Sequence, residues 1–258
     1  MPGVEAMTLF SDHSFPRHTH DHYGIGIMTA GAQKSWSVIG HVESRAGDVI
    51  MCNPGEMHDG LPATDEPRGW RIIYIDPSLV ARELAGESVD GELTVRPVVR
   101  DPRLARAVIR LFAELERSCA DPLAAEESLV SCLMRVAHRH RVDRAAVACA
   151  SPSVVKAIRR LDAAPETPIS LAELASEAGI SRFQLLRGFA REVGTTPHAY
   201  VMQLRARKAR RLLASGASPA DAAHRSGFAD QSHLTREFAK HFGITPGRYA
   251  ISFKTPAR

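Results

Sequence analysis

The sequence predicts an α+β protein of more than one domain. An N-terminal β sandwich or barrel with a helical hairpin precedes an all-α C-terminal domain of two helix-turn-helix units. Three observations carry this. From His18 to about Ile75 the segments are short, rich in Val, Ile, Tyr and Trp, and punctuated by Gly and Pro, the pattern of strands joined by turns. Beyond Leu104 the apolar period becomes helical. The last hundred or so residues contain an internal repeat of helix-turn-helix size.

Taken in order, YGIGIMTAG, KSWSVIG, GDVIMCNPGEMH and GWRIIYID read as strands and turns, and residues 76–100 as irregular. Leu104, Val108, Leu111, Phe112 and Leu115 form one helical stripe. Leu129, Leu133, Val136 and Ala137 form a second, with Pro122 suited to a first helical turn between them. These two helices pack on each other, and apolar surface left over would suit a partner chain. His138 and His140 end the second helix, where they complement its dipole. The weakly patterned Val142–Pro152 stretch reads as a linker, so the domains are expected at 1–142 and 153–258, with 143–152 between them.

Composition narrows the function. The 258 residues are 44% hydrophobic and 24% charged, which excludes disordered and fibrous classes. No run approaches the roughly 20 apolar residues of a membrane span, and Met1–Arg17 has no signal-peptide pattern. A cytoplasmic protein with no membrane partner is expected. Cys52, Cys119, Cys132 and Cys149 form no CxxC pair, so neither a zinc ribbon nor a disulfide framework is predicted. Charge divides sharply near residue 150. Residues 151–258 hold 17 Lys and Arg against 8 Asp and Glu, a net +9, whereas residues 1–150 hold 16 against 21, a net −5. The basic part has the electrostatic footprint of a nucleic-acid binder and the acidic part does not.

The repeat sets ELASEAGISRFQLLRGFAREVGTTPHAY, from Glu173, against DAAHRSGFADQSHLTREFAKHFGITPGRY, from Asp221. Ala175 and Gly179 match Ala223 and Gly227 at a spacing of 48. Leu185, Phe189, Gly194, Pro197 and Tyr200 match Leu234, Phe238, Gly243, Pro246 and Tyr249 at 49, which puts one extra residue just after the second turn. Ser170 and Glu173 make a capping-box pattern, Ser181, Ser218 and Asp230 suit N-caps, and Gly179 and Gly227 suit helix ends. Between the units, Ala199–Ala214 reads as a helix with Val201, Leu204, Leu212 and Leu213 inward and Arg205, Arg207, Lys208, Arg210 and Arg211 elsewhere. With Leu185 and Phe189 in the core, helical spacing turns Arg182, Phe183, Leu186 and Arg187 outward; with Leu234 and Phe238 in the core, it turns out Gln231, Ser232, Thr235 and Arg236. Arg can bond guanine in bidentate fashion, Gln can bond adenine, and Thr, Phe or Leu can touch a thymine methyl.

These residues carry a family resemblance. Ser153 to Ala250, and above all GFADQSHLTREFAKHFGITPGRYA from Gly227, closely resembles the DNA-binding domain of the AraC/XylS transcription regulators. The resemblance implies two recognition helices in successive major-groove segments. Base- and backbone-facing places then fall on Phe183, Leu186, Arg187, Gln231, Ser232, Thr235 and Arg236. Leu186 departs from the polar residues common at its place.

HTHDH at His18–His22 and GDVIMCNPGEMHDG at Gly47–Gly60 are similar to the two cupin motifs, which implies a cupin-like β-barrel effector domain. If His18, His20 and His22 lie on a strand they share a face with Gly24 and Gly26, opening a small cavity. His18, His20, His22, Asn53, Glu56 and His58 would supply polar groups to an effector pocket, and Trp36, Trp70 and Tyr74 apolar walls, suiting a small polar or weakly anionic metabolite. A second reading is a metal-dependent cupin enzyme fused to a DNA-targeting domain, with His18, His20 and His58 holding zinc or iron. Against it, the carboxylate expected about four residues after the second histidine is replaced by Gly24 and Ile25, and no GxSxG, P-loop or dinucleotide fingerprint occurs. The expectation is therefore a regulator that is not an enzyme and has no metal or cofactor. Its partners would be duplex DNA, a small-molecule effector, a second copy in a homodimer and RNA polymerase.

Overall fold

A computed structural model describes residues 1–37, 40–85, 93–117, 121–142 and 151–254. Residues 143–150 of the expected linker, and Cys119 and Cys149, lie outside them. The chain divides into two compact units, Met1–Ser14 with Thr19–Val147, and Phe15–His18 with Ala148–Arg258.

The first unit is built on antiparallel sheets. One has the order β1 (Val4–Ser11), β8 (Arg68–Ile75), β3 (Tyr23–Ala30), β6 (Val49–Cys52), β9 (Val98–Val99). In another, β4 (Ala32–Ser37) pairs with β5 (Gly40–Arg45) on one side and β7 (His58–Pro62) on the other. KSWSVIG is thus not one strand: β4 ends at Ser37, which pairs directly with Gly40 of β5. The region from 76 to 100 also holds a short helix, α1 (Pro77–Glu83), capped by Asp76, and the strand β9.

Alternation along β8 separates two faces. Ile73 and Ile75 join Tyr23, Ile25 and Ile27 of β3 in a core closed by α2 (Pro102–Glu116) and α3 (Pro122–Arg139). Leu104, Val108, Leu111, Phe112, Leu129, Leu133, Val136 and Ala137 all lie in that core. The helical stripes are consumed in sealing the sheet, so they are not surplus surface for a partner chain. Asp101 caps α2 and also receives Arg135 at 2.8 Å and His140 Nε2 at 2.9 Å from the end of α3. Those donors hold the Asp101 carboxyl well below the usual carboxylate range.

The other face of β8 carries Arg68, Trp70, Ile72 and Tyr74. Arg68 is fully buried. Its guanidinium donates to Gln33 Oε1 at 2.8 Å and to the carbonyls of Ser11, His13 and Gly60 at 3.3, 3.0 and 2.9 Å, and it sits 5.2 Å from the Trp70 ring. Burial lowers its pKa while these acceptors keep it solvated.

The second unit has seven helices among the described residues: α4 (Pro152–Ala163), α5 (Leu171–Ala178), α6 (Arg182–Gly188), α7 (Pro197–Ala214), α8 (Pro219–Arg225), α9 (Gln231–Phe242) and α10 (Pro246–Lys254). A π-helical segment, Phe189–Val193, extends α6. The short strand β2 (Phe15–His18) also belongs to this unit, with Phe15 against Gly243 and the Arg17 carbonyl accepting from the Gln203 amide.

Two apolar cores result. One joins α4 and α5 to Leu185 and Phe189; the other joins α8 to Leu234, Phe238, Tyr249 and the Met202, Ala206, Ala209 and Leu213 face of α7. The expected inward set holds in part: Leu213 is buried and Val201, Leu204 and Leu212 pack half-buried against the cores, while Met202, Ala206 and Ala209 supply the rest of the buried face.

Candidate functional site

Local chemistry sets both helix-turn-helix units. Ser170 accepts from the Glu173 amide at 3.1 Å while Glu173 accepts from the Ser170 amide at 2.8 Å, a complete capping box at the start of α5. Gly179, at φ 72°, ends α5 in the left-handed conformation. Ser181 and Gln184 then repeat the capping box for α6. In the second unit Ser218 caps α8 with Pro219 next to it, Gly227 takes φ 80°, and Asp230 caps α9. Ser181 and Asp230 lie 49 residues apart whereas Gly179 and Gly227 lie 48 apart, so the extra residue falls in the turn and leaves α6 and α9 in matching register.

The outward sets follow. Leu185 and Phe189 are buried, and Arg182, Phe183, Leu186 and Arg187 are exposed, Phe183 by 67%. The Arg187 guanidinium lies 5.4 Å from the Phe183 ring, so cation and aromatic face are offered together. On α9, Leu234 and Phe238 are buried, Gln231, Ser232 and Arg236 are exposed, and Thr235 is half-buried. Thr235 donates its hydroxyl to the Gln231 carbonyl at 2.8 Å, which leaves its methyl as the group more suited to a base.

The charge run of α7 is not simply solvated. Arg205 Nε donates to the Pro165 carbonyl and Nη1 to the Gly227 carbonyl, both at 2.7 Å. Burial, with the charge of Arg211, holds Arg207 down to about 10. Sequence reasoning missed both, because a basic helix reads as surface unless its tertiary neighbours are known.

The three histidines do not share a strand: His18 ends β2, which belongs to the helical unit, and His20 and His22 stand in the irregular stretch of the sheet unit before β3. A turn there breaks the expected alternation. The glycines open no cavity either. A Cβ on Gly24 would meet Cys52 Sγ at 2.5 Å and one on Gly26 the Arg71 carbonyl at 2.5 Å, so both are required by close strand packing.

The His20 ring nevertheless lies 5.0 Å from both His58 and Tyr74. His18 Nδ1 is 2.7 Å from the Pro16 carbonyl and His58 Nδ1 3.1 Å from the Glu56 carbonyl. A carbonyl only accepts, so both rings carry the proton on Nδ1 and the lone pair on Nε2, the tautomer that binds a metal or accepts from a ligand.

The other predicted residues have different places. His22 contributes charge near Asp76. Asn53 donates to Glu56 at 2.5 Å and to the Val95 carbonyl at 3.1 Å and accepts from the Val95 amide at 2.8 Å, pinning the turn that carries His58. Trp70 is buried beside Arg68 on β8, and Trp36 is half-buried on β4 with its amide bonded to Asp59.

Known proteins match both units. Residues 8–133 match the AraC-like ligand binding domain and residues 174–251 a helix-turn-helix domain. The HTH-type transcriptional regulator YbfI of Bacillus subtilis is 28% identical over 226 residues, 85% of this chain and 81% of that protein. The bifunctional transcriptional activator and DNA repair enzyme Ada of Escherichia coli is 29% identical over 189 residues, 72% of this chain but only 49% of Ada. In fold, ToxT of Vibrio cholerae aligns with a TM-score of 0.62 at 12% identity, over 99% of this chain and 100% of that one; ToxT has also been solved with an unsaturated fatty acid bound. With a ligand-binding unit followed by a helix-turn-helix unit, the chain belongs to the AraC-type family of transcription regulators.

Proposed function

We propose that the chain acts in the cytoplasm as a sequence-specific regulator, with α6 and α9 each laid in one of two successive major-groove segments. One observation carries this: two second helices, capped at equivalent positions, present Arg182, Phe183, Leu186 and Arg187, and Gln231, Ser232, the half-buried Thr235 and Arg236, from their first two turns. That is where a recognition helix meets base edges. The test is footprinting of the full chain on duplexes selected from a random pool. Protection over about two helical turns, with affinity falling steeply as salt rises, is expected; protection of a single turn refutes the two-helix reading.

The effector is proposed to be a small polar or weakly anionic metabolite beside His20, His58 and Tyr74, with Asn53 and Glu56 shaping the wall. Binding of effector and of DNA must be reciprocally coupled, so calorimetry of each in the presence of the other checks the assignment. The reading is of a regulator and not an enzyme. Burial pushes the Cys52 and Cys132 thiols up to about 12, leaving both protonated and poorly nucleophilic. A homodimer acting on RNA polymerase completes the proposal; the exposed Ile109 and Leu123 on the helical hairpin are its candidate contacts, and a monomer in sedimentation at tens of micromolar refutes the dimer.

The neighbouring rings of His20 and His58 favour a second reading, in which histidines of this group hold a divalent transition ion that anchors or replaces the organic effector. Elemental analysis of chelator-free protein decides it: stoichiometric metal that disappears in His58→Ala supports the ion, and metal-free protein refutes it.

A further inference from the structure

Among the described residues the two apolar cores of the helical unit share one residue, Val201 on α7. Apolar packing therefore seats each helix-turn-helix on its own stretch of α7, Tyr200 and Leu204 for the first and Met202, Ala206, Ala209 and Leu213 for the second, and joins the two to each other at Val201. A polar junction bridges them. Arg205 reaches from α7 to the Pro165 carbonyl, in the loop that leads to α5, and to the Gly227 carbonyl, in the turn between α8 and α9. One turn along, Lys208 Nζ pairs with Glu166 Oε2 at 2.9 Å. The loop and the turn also meet directly: a Cβ on Gly227 would lie 2.7 Å from Glu166 Cα and 2.8 Å from its carbonyl oxygen. Only glycine permits that approach, and φ of 80° at the same residue asks for glycine again.

We propose that Arg205, with Glu166 and Gly227, forms a clamp that sets the angular phase between α6 and α9, and so the spacing of the two DNA segments the protein accepts. Arg205 is a positioning residue; it is not assigned to DNA. The inference rests on the two-helix DNA reading above. Each added base pair moves the second segment by about 3.4 Å and turns it by roughly 34°. A clamped pair of helices cannot follow that change, and a loosened pair can.

A planar guanidinium holds its donors on separate nitrogens in a rigid fork, here Nε on one carbonyl and Nη1 on another, whereas lysine presents its three donors from a single nitrogen on a flexible stem. Arg205→Ala removes both bonds, and Arg205→Lys keeps charge and stem with at most one. The full chain is first used to select duplexes from a random pool. The best duplex is then remade with one base pair inserted between the two protected segments, and with either segment scrambled.

For the wild type the insertion is expected to cost about tenfold or more in affinity, as one segment is lost. In Arg205→Ala and Arg205→Lys the same insertion should cost under about threefold, while affinity for duplexes with one segment scrambled stays within about twofold of wild type. If Arg205→Ala does not fold by circular dichroism, Arg205→Lys and Glu166→Ala carry the test. A folded variant with the wild-type insertion penalty overturns the clamp, as does a wild type indifferent to the insertion. Failure of the wild type to bind any selected duplex is a different result, because it removes the DNA reading and the clamp with it.

Discussion

The two helix-turn-helix units are one scaffold with two different faces. Leu185 and Phe189 in the first, and Leu234 and Phe238 in the second, are wholly buried at matching positions. Above that shared base the exposed groups diverge: α6 offers Phe183 and Leu186 beside two arginines, and α9 offers Gln231, Ser232 and Arg236. The repeat thus conserves what folds it while leaving free what it reads. Apolar groups on α6 suit thymine methyls, and the polar set on α9 suits hydrogen-bond readout.

The strongest way to break this comparison is at the base. Phe189→Ala and Phe238→Ala should each destabilise the helical unit by about 3 to 5 kcal/mol, from lost transfer energy plus a cavity. Because the two cores meet at little more than Val201, hydrogen exchange should rise in α5 and α6 for the first variant and in α8 and α9 for the second. Equal loss of protection across both units in either variant would show a single cooperative core instead.

Next in size is readout. Arg187→Ala and Arg236→Ala should each weaken binding by about 1 to 3 kcal/mol on a cognate duplex if they bond a base, with relaxed preference at one or two positions. Selection from a random pool with each variant locates those positions. A weakening spread evenly over all sequences would make that arginine a phosphate contact.

A subtler contrast lies at Glu192 and His241, which occupy equivalent places 49 residues apart. Burial works to raise the Glu192 carboxyl, but donors from the Ser151 amide, Arg191 and the Ser151 hydroxyl hold it below its ordinary value. His241 is driven down to about 4 by burial, helped by the charges of His18 and Lys240. The Glu237 carboxylate faces His241 Nε2 at 3.7 Å and does not reverse this. Both groups are thus more acidic when folded, and both contribute stability that is lost on acidification, but in different windows. For His241 the unfolded chain takes up its proton near pH 6.5, so stability falls from there towards pH 4. For Glu192 the loss begins only below the ordinary glutamate range. Between pH 7 and 5 the second unit should lose about 1 to 2 kcal/mol that the first keeps. Exchange rates in α9 and α6 at the two pH values check this, and His241→Gln should flatten the α9 response.

The helical unit was legible because its signals are local. A capping box spans four residues, and a buried Leu and Phe four apart define a helix face without knowledge of the rest of the chain. The sheet unit was less so. β1 was missed because Phe10 sits on its outer face, 70% exposed, next to Leu9, which hides the alternation. The expected strand through the three histidines fails at the turn before β3, and His20 neighbours His58 because β7 arrives from far along the chain. Arg68 was overlooked although its position, two residues before Trp70 on an alternating strand, points it inward. Arg205 had no local signal at all, because both carbonyls it bonds are set by tertiary packing.

The smallest effect is the one that most sharply separates the two faces. If Phe183 and Leu186 read thymine methyls, replacing thymine by uracil under α6 removes one methyl from each contact, worth about 0.8 kcal/mol by transfer energy. Uracil keeps every hydrogen-bonding group of thymine, so the change is silent to polar readout. The prediction is therefore asymmetric. Uracil placed in the segment protected by α6 should weaken wild-type binding by about two- to fourfold, and in the segment under α9 by less, with Thr235 the one methyl-bearing contact there. Leu186→Ala and Phe183→Ala should each remove the uracil penalty at the position they touch under α6 while leaving the α9 segment unchanged. Competition titrations with singly substituted duplexes resolve differences of this size. A uracil penalty that persists in both Leu186→Ala and Phe183→Ala, or that appears only under α9, would mean that the apolar face of α6 does not meet base methyls and that its exposed ring and leucine serve some other contact.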